Sequence, residues 1–179
     1  VCGLFYQAGI AVVITLSAVY AQLVMKFTTA QTITLILVVN ITAAIGAFVF
    51  GYVQDRLGHK KTLALTILLW IIMGVMAAFS HGPVSFWIAA NIAGIAMGSS
   101  QSAGRAVVAV FAPAGELAQF YSAWNVAVWG ANVLGPITYG TVTWLTSGDQ
   151  RTAILVTTLF FVIGLLILRR VHLPSKTVC

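Results

Sequence analysis

The sequence contains very little charge. Of its 179 residues only 7% are Asp, Glu, Lys or Arg and only three are acidic, whereas about a quarter of an ordinary soluble domain is charged. Hydrophobic residues make up 60% of the chain. This composition excludes an ordinary soluble domain and indicates a membrane protein.

Cysteine is almost absent as well. Cys2 and Cys179 lie at the two ends of the chain without the spacing of metal ligands, and two thiols do not form a disulfide framework. Neither a metal nor a cofactor is therefore expected, and the redox compartment stays open.

The uncharged runs are long enough to span a bilayer, for which about 20 apolar residues suffice. They cover residues 27–54, 62–104, 117–148 and 152–168. Turn signals at His81-Gly82-Pro83 and Pro113-Ala-Gly115 divide them further. The sequence therefore predicts an all-α membrane protein with six transmembrane helices. The predicted helices are Phe5 to Met25, Thr32 to Val53, Leu63 to Ser80, Val84 to Ala112, Phe120 to Leu145 and Thr152 to Leu168.

The positions of the basic residues predict the orientation, because short cytoplasmic loops carry the excess of Lys and Arg. One side of the predicted membrane has only Lys26 and Arg151. The other side, which includes both chain ends, has Arg56, Lys60, Lys61, Arg105, Arg169, Arg170 and Lys176. Both ends are thus predicted to be cytoplasmic in a multi-pass protein of the plasma membrane, with the lipid bilayer as a partner. Because the basic residues lie between apolar segments, the net charge of +6 does not indicate a nucleic-acid partner.

The stretch GYVQDRLGHKK, residues 51 to 61, is the most charged part of the sequence. It resembles the signature loop of the major facilitator superfamily, Gly-x-x-x-Asp-Arg-x-Gly-[Arg/Lys]-[Arg/Lys]. The matching residues are Gly51, Asp55, Arg56, Gly58 and Lys60, whereas His59 stands where Arg is usual. We expect this stretch to join the second and third helices as a cytoplasmic gating loop, with Gly51 allowing close helix approach and Gly58 a tight turn. The alternative is a basic loop that only sets orientation.

A second motif, GANVLGPITYG at residues 130 to 140, resembles the Gly-Pro helix of the same superfamily. Pro136 removes a backbone donor within an apolar span, so Gly135 and Pro136 form a candidate hinge. A simple packing kink is the alternative.

Residues 98 to 140 resemble more narrowly the vacuole-effluxer-like branch of that superfamily. The matching residues are Gln101, Arg105, Pro113, Gly115, Phe120, Tyr121, Gly135 and Pro136. The resemblance implies a twelve-helix transporter of two six-helix halves, each built from two inverted three-helix repeats. Residues 1–179 would be the C-terminal half, and a first residue other than Met fits a fragment. The implied function is alternating-access export of small organic solutes, with amino acids as the suggested substrate.

Polar side chains within the predicted spans nominate residues that line a substrate path, since polar groups are costly in hydrocarbon. On the fifth helix Tyr121, Asn125, Asn132 and Tyr139 follow helical spacing. The fourth helix carries Gly94 and Gly98, which allow another backbone to approach closely. The substrate-lining candidates are Gln7, Asn40, Asn91, Gln101, Tyr121, Asn125 and Asn132. Hydrogen bonding between helices is the competing role.

Arg105 is deeply placed for an unpaired cation. The family resemblance implies a charge network between Arg105 and Asp55 at the cytoplasmic side, with Glu116 as a competing partner and snorkelling to the headgroups as the alternative. No Asp or Glu falls within a predicted span. If transport is coupled to protons, we expect the titrating group in the missing half.

The sequence leaves two other classes of function as alternatives. Ser100-Gln-Ser102-Ala-Gly104 is faintly similar to the nucleophile turn of a serine hydrolase, but no predicted helix contains a His to act as base, so an intramembrane protease is disfavoured. The main alternative to a transporter half is a half-sized binding or assembly module that pairs with a second copy.

Overall fold

The computed structural model describes residues 2–80, 82–113 and 115–170, and these form six α-helices as predicted. The helices are α1 (Cys2–Leu23), α2 (Thr29–Leu57), α3 (His59–Ala78), α4 (Pro83–Phe111), α5 (Leu117–Leu145) and α6 (Gln150–Arg170). The predicted loop residues His81 and Ala114, and the predicted cytoplasmic Lys176 and terminal Cys179, lie outside the described residues.

Most helices extend beyond the apolar limits used to predict them, because polar residues continue a helix past the membrane core. α2 begins in a capping box: the Thr28 hydroxyl accepts from the Gln31 N–H, and the Gln31 side chain accepts from the Thr28 N–H at 2.9 Å. At its other end α2 continues to Leu57. The expectation that residues 51 to 61 form a loop is therefore wrong, since only Gly58, at φ 80°, separates α2 from α3.

Four helices, α1, α2, α3 and α6, are each long and apolar enough to cross a membrane. α4 and α5 have 29 residues each, but their apolar runs are interrupted by side chains such as Gln101 and Asn125. We call the end of the bundle with the α1–α2, α3–α4 and α5–α6 connections the outer end. The inner end holds Gly58, the α4–α5 connection, the start of α1 and the described end of α6.

The helices pack in two interlocked sets. α1 packs against α5 and α6, α4 packs against α2 and α3, and α3 contacts α6. Exchanging the first three helices for the last three leaves these contacts unchanged. Because a helix and its counterpart are three crossings apart, they run in opposite directions. The packing therefore has the form of two inverted three-helix repeats.

Glycines allow α2 and α4 to approach backbone to backbone. A Cβ atom added at Gly98 would collide with the carbonyl oxygen of Ala43, and one added at Gly46 would lie 2.7 Å from the Cα of Ile95. A Cβ added at Gly94 would likewise lie 2.6 Å from the carbonyl oxygen of Val39. The predicted close approach at Gly94 and Gly98 is confirmed, and it holds the two repeats together.

Aromatic rings fill the centre of the bundle. The Trp70 ring of α3 stacks on Phe161 of α6 with centroids 5.2 Å apart and planes 3° from parallel, and both side chains are buried. The Phe161 ring lies against Gly9 of α1, where a Cβ would be within 2.5 Å of it. Burial of such large rings supplies most of the packing energy in a core, and here it fixes α1, α3 and α6 around one point.

Candidate functional site

A cavity of about 240 Å³ opens among α1, α2 and α4 in the outer half of the bundle. Trp70 and Met73 of α3 line its base, and Tyr20 and Phe86 stand near the outer end with rings stacked 5.6 Å apart. An engineered cavity of about 150 Å³ already holds benzene, so this one has room for a ring with a short substituent.

The lining of the cavity offers few polar atoms. The Asn40 amide donates to the carbonyl of Ile36 at 2.8 Å, and the Tyr20 hydroxyl donates to the carbonyl of Ala77 at 2.9 Å. The Thr32 hydroxyl donates to the carbonyl of Thr28 at 3.0 Å. No Asp, Glu, Lys or Arg of the described residues lines it. The cavity therefore suits an uncharged, mainly apolar group, with the Asn40 side-chain oxygen as an acceptor at its edge.

At the inner end the corresponding space, between α1, α4 and α5, is closed by Trp124. Its ring lies 6.1 Å from that of Tyr6, and a Cβ added at Gly3 or Gly104 would be 2.7 and 3.2 Å from indole carbons. The Tyr121 hydroxyl, one turn before Trp124, donates to the carbonyl of Arg105 at 3.1 Å. The bundle thus has a cavity in its outer half, and Trp124 fills the corresponding space in its inner half.

Two buried polar groups lie in the inner half of α1, next to each other in the sequence. Tyr6 is 1% exposed and Gln7 is 4% exposed, and in the described part of the chain neither the Tyr6 hydroxyl nor the Gln7 amide nitrogen has a partner. An unsatisfied buried polar group costs about 1 to 3 kcal/mol. Groups of this kind are suited to bind a water or a solute that enters the bundle.

The structure places the seven predicted lining residues in different surroundings. Of these, only Asn40 lines the cavity, and Gln7 is buried in the inner half of α1. Asn91 is half-buried, with its amide donating to the carbonyl of Trp87 at 2.8 Å, and Gln101 is also half-buried. Tyr121 binds α4 through its hydroxyl. Their role in substrate binding stays a prediction.

The predicted polar face of α5 divides into two parts. Asn125 and Asn132 are exposed and lie on the same face of α5 as Trp129, which is 70% exposed. Tyr139 instead turns into the bundle and donates to the Gln150 side chain at 2.6 Å. The two amides are thus on the surface of the bundle, and the tyrosine joins α5 to α6.

The signature stretch forms the inner corner between α2, α3 and α6. Asp55 and Arg56 are exposed, Gly58 makes the expected turn, and the Lys60 ammonium donates to the carbonyl of Arg169 at 3.1 Å. Gly51 does not touch another helix: in the described part of the chain nothing lies within 4 Å of an added Cβ. The expected close approach at Gly51 is therefore absent within this bundle.

Arg105 is exposed at the inner end of α4. Among the described residues no ion pair joins it to Asp55 or Glu116, and its main-chain carbonyl is the group that accepts from Tyr121. The charge network between Arg105 and Asp55 stays a prediction.

The Gly-Pro motif lies within a continuous α5. A Cβ added at Gly135 would collide with the carbonyl oxygen of Ala8, so this glycine lets α5 pack directly on α1. Pro136 has no N–H, so the carbonyl of Asn132 lacks its usual helical donor. Bending at this point stays a prediction.

Sequence reasoning missed the apolar cavity, Tyr6 and the packing of Trp124 against Gly3 and Gly104. Residues such as Trp70, Met73 and Phe86 read as ordinary core residues, because apolar lining and apolar packing have the same composition. Trp124 lies one turn after Tyr121 on α5, but only the bundle shows that its ring meets Gly3 and Gly104.

Comparison with known proteins agrees with this architecture. In Bacillus subtilis (strain 168) an uncharacterized MFS-type transporter, YxiO, is 27% identical over 173 residues, which are 97% of this chain and 40% of YxiO. A putative metabolite transport protein of Haemophilus influenzae is 33% identical over 133 residues, or 72% of this chain and 32% of its own length. The chain thus spans well under half of the curated relatives that it matches.

Solved structures show the same fold. The inward-open xylose transporter XylE from E. coli superposes with a TM-score of 0.79 at 20% identity, covering 98% of this chain and 47% of XylE. A family model described as "Vacuole effluxer Atg22 like" matches residues 3–178. The chain therefore belongs to the vacuole-effluxer-like family of the major facilitator superfamily, and its six helices have the fold of half a facilitator.

Proposed function

We propose that residues 1–179 are the C-terminal six-helix half of a secondary active transporter that works by alternating access in the plasma membrane, with both ends of this segment cytoplasmic. The chain covers 40% of YxiO and 47% of XylE, which supports a half of a larger bundle. That its relatives are named as transporters supports transport as the activity and not catalysis.

The observation that carries this proposal is the polar surface of α5. Asn125 and Asn132 are exposed on a helix of the membrane bundle, beside Trp129. Polar side chains facing lipid are costly, so this surface needs to face water or another protein. The missing N-terminal half, or a second copy of this one, would cover it and leave a water-filled path between the two.

The two ends of the bundle supply a physical basis for alternation. A cavity lies in the outer half, whereas in the inner half Trp124 packs against the Tyr6 ring and the Tyr6 hydroxyl and the Gln7 amide are buried. Movement of α5 away from α4 would expose these two groups from the inner side, and the bond from Tyr121 to the Arg105 carbonyl would break. Gly135 and Pro136 lie farther along α5 and would allow it to bend.

We propose small organic solutes, with amino acids first among them, as the substrates. The apolar cavity would hold an uncharged part of the solute, and Gln7, Asn125 and Asn132 would bind its polar groups. Within α1 to α6 the one Asp or Glu is Asp55, in the last turn of α2 at the inner end, so proton coupling through a carboxylate deep in the membrane would use a group in the other half. The name of the Haemophilus relative, a putative metabolite transport protein, is in keeping with this class.

Cysteine labelling of the full-length protein tests the proposal. With Cys2 and Cys179 replaced by Ala, Asn132→Cys is expected to react with a water-soluble maleimide. The matched control is Leu159→Cys on α6. This leucine is 55% exposed, and the residues one turn before and after it on α6 are apolar, so the cysteine is expected to stay unlabelled. Equal labelling, or labelling of position 159 alone, would contradict a water-facing α5.

A stability screen on the same protein addresses the substrate. Candidate solutes that bind the folded state raise its apparent stability, and Asn132→Ala is expected to reduce that shift. If Asn132 is labelled but no organic solute stabilises the protein, the water-facing surface stands and the proposed substrate class fails.

A further inference from the structure

Cations from two distant parts of the chain meet at one inner corner of the bundle. The Lys60 ammonium, in the first turn of α3, donates to the carbonyl of Arg169 in the last turn of α6, at 3.1 Å and 109 positions away in sequence. Lys61 and Arg170 follow directly in each segment and are exposed. Arg56, in the last turn of α2, is one short turn away across Gly58.

The corner is fixed in shape as well as charge. Gln54 and His59 bond across the Gly58 turn, with Nε2 and Nδ1 2.6 Å apart, so the end of α2 is joined to the start of α3. Leu63 and Leu168 are both buried in the main core, which anchors α3 and α6 beneath the charges. Basic residues that only set the orientation in the membrane would not need to come together from three helices at one corner.

The backbone of α3 adds to the positive potential. Its N-cap is Gly58, which makes no side-chain hydrogen bond to the first turn, and that turn contains no acidic residue. The N-terminus of a helix carries a partial positive charge, and lysines there are unfavourable unless an anion is near. Asp55 is the one acidic side chain among the described residues of this corner, against Arg56, Lys60, Lys61, Arg169 and Arg170.

We propose that this corner, defined by Arg56, Lys60, Lys61, Arg169 and Arg170, binds the phosphate headgroup of an anionic phospholipid in the adjacent leaflet. The charges lie at the ends of membrane helices, which is the level of lipid headgroups. Arginine presents paired donors that match phosphate oxygens, and basic pockets between transmembrane helices bind such headgroups. An anion at this place offsets the exposed charges of Lys61, Arg169 and Arg170 and the uncapped start of α3.

Lipid titration of the full-length protein tests this inference. In detergent solution, phosphatidylglycerol is expected to raise the thermal stability, whereas phosphatidylcholine with the same acyl chains is not. The variant Lys61→Gln/Arg169→Gln/Arg170→Gln is expected to bind phosphatidylglycerol about a hundred-fold more weakly. This is about five-fold for each cation removed, the equivalent of about 1 kcal/mol per basic residue.

Two controls separate a headgroup site from other effects. Lys61→Arg/Arg169→Lys/Arg170→Lys keeps the charge and is expected to keep most of the affinity, and Lys26→Gln at the outer end is expected to change nothing. Each single Gln variant is measured too, so a triple variant that fails to fold does not end the test. Equal response to both lipids, equal loss with Lys26→Gln, or the same stabilisation by inorganic phosphate would overturn the proposal.

Discussion

Replacing Gly98 by Ala probes the contact that joins the two repeats. The added methyl group would be directed at the carbonyl oxygen of Ala43 and would lie 3.0 Å from the backbone nitrogen of Ala47. Neither is the end of a flexible side chain, so α2 and α4 would have to separate along their length.

The expected cost comes from two opposing effects. Overpacking of a well-packed interior costs about 1 to 3 kcal/mol. The change from Gly to Ala in a helix recovers about 0.5 to 1 kcal/mol, because Ala loses less backbone entropy. The net expectation for Gly98→Ala is a loss of roughly 1 to 2 kcal/mol, a factor of about ten in the unfolding equilibrium.

Unfolding of the full-length protein in mixed micelles with increasing SDS, followed by tryptophan fluorescence, measures this loss. Gly140→Ala on α5 is the matched control, because in the described part of the chain nothing lies within 4 Å of a Cβ there. Gly140→Ala is expected to leave stability unchanged or slightly raised. If both variants unfold at the same SDS fraction, α2 and α4 are not in backbone contact.

Three further changes test other parts of the structure. Trp124→Ala is expected to lower stability by about 3 kcal/mol and to speed labelling of Gln7→Cys from the inner side; unchanged labelling would mean that the indole is not the closure. Asp149 starts α6, and the hydrogen bond from the Thr152 hydroxyl, with those from the Arg151 and Thr152 amides, holds its pKa below the usual 3.8. Its carboxylate therefore stabilises the fold above that pH, and this stabilisation is lost as the pH falls through the lower pKa of the folded state. The difference in thermal stability between Asp149→Ala and the parent is accordingly expected to disappear in acid. Gly51→Leu is expected to leave unfolding of this bundle unchanged but to reduce transport, because Gly51 is open here and would face the other half; a loss of stability without a loss of transport would contradict this.

The sequence predicted the helices well because each is an apolar run bounded by breakers. Pro83 stands at the first position of α4 and Pro113 follows its end, so both boundaries of that helix were within one residue. The boundary that failed was between α2 and α3. There the charged residues predict a loop, yet Gly58 alone supplies the turn and Lys60 already belongs to a helix.

The candidate site was less predictable, since helical spacing gives the face of a residue but not what that face meets. Gly94 and Gly98 were correctly expected at a close contact, because a glycine pair one turn apart has few other uses in a membrane helix. Tyr139 and Asn132 shared a predicted face, but the structure turns the tyrosine inward to Gln150.

The crossing of α2 onto α4 and of α5 onto α1 has a consequence for the origin of the chain. Neither set of three helices forms a core of its own, because the middle helix of each set packs against the other set. An ancestor of only three helices would have had to pack against a second copy of itself, inserted in the opposite orientation, before gene fusion joined the two copies. Cutting the chain between α3 and α4 should accordingly yield fragments that are recovered together or not at all.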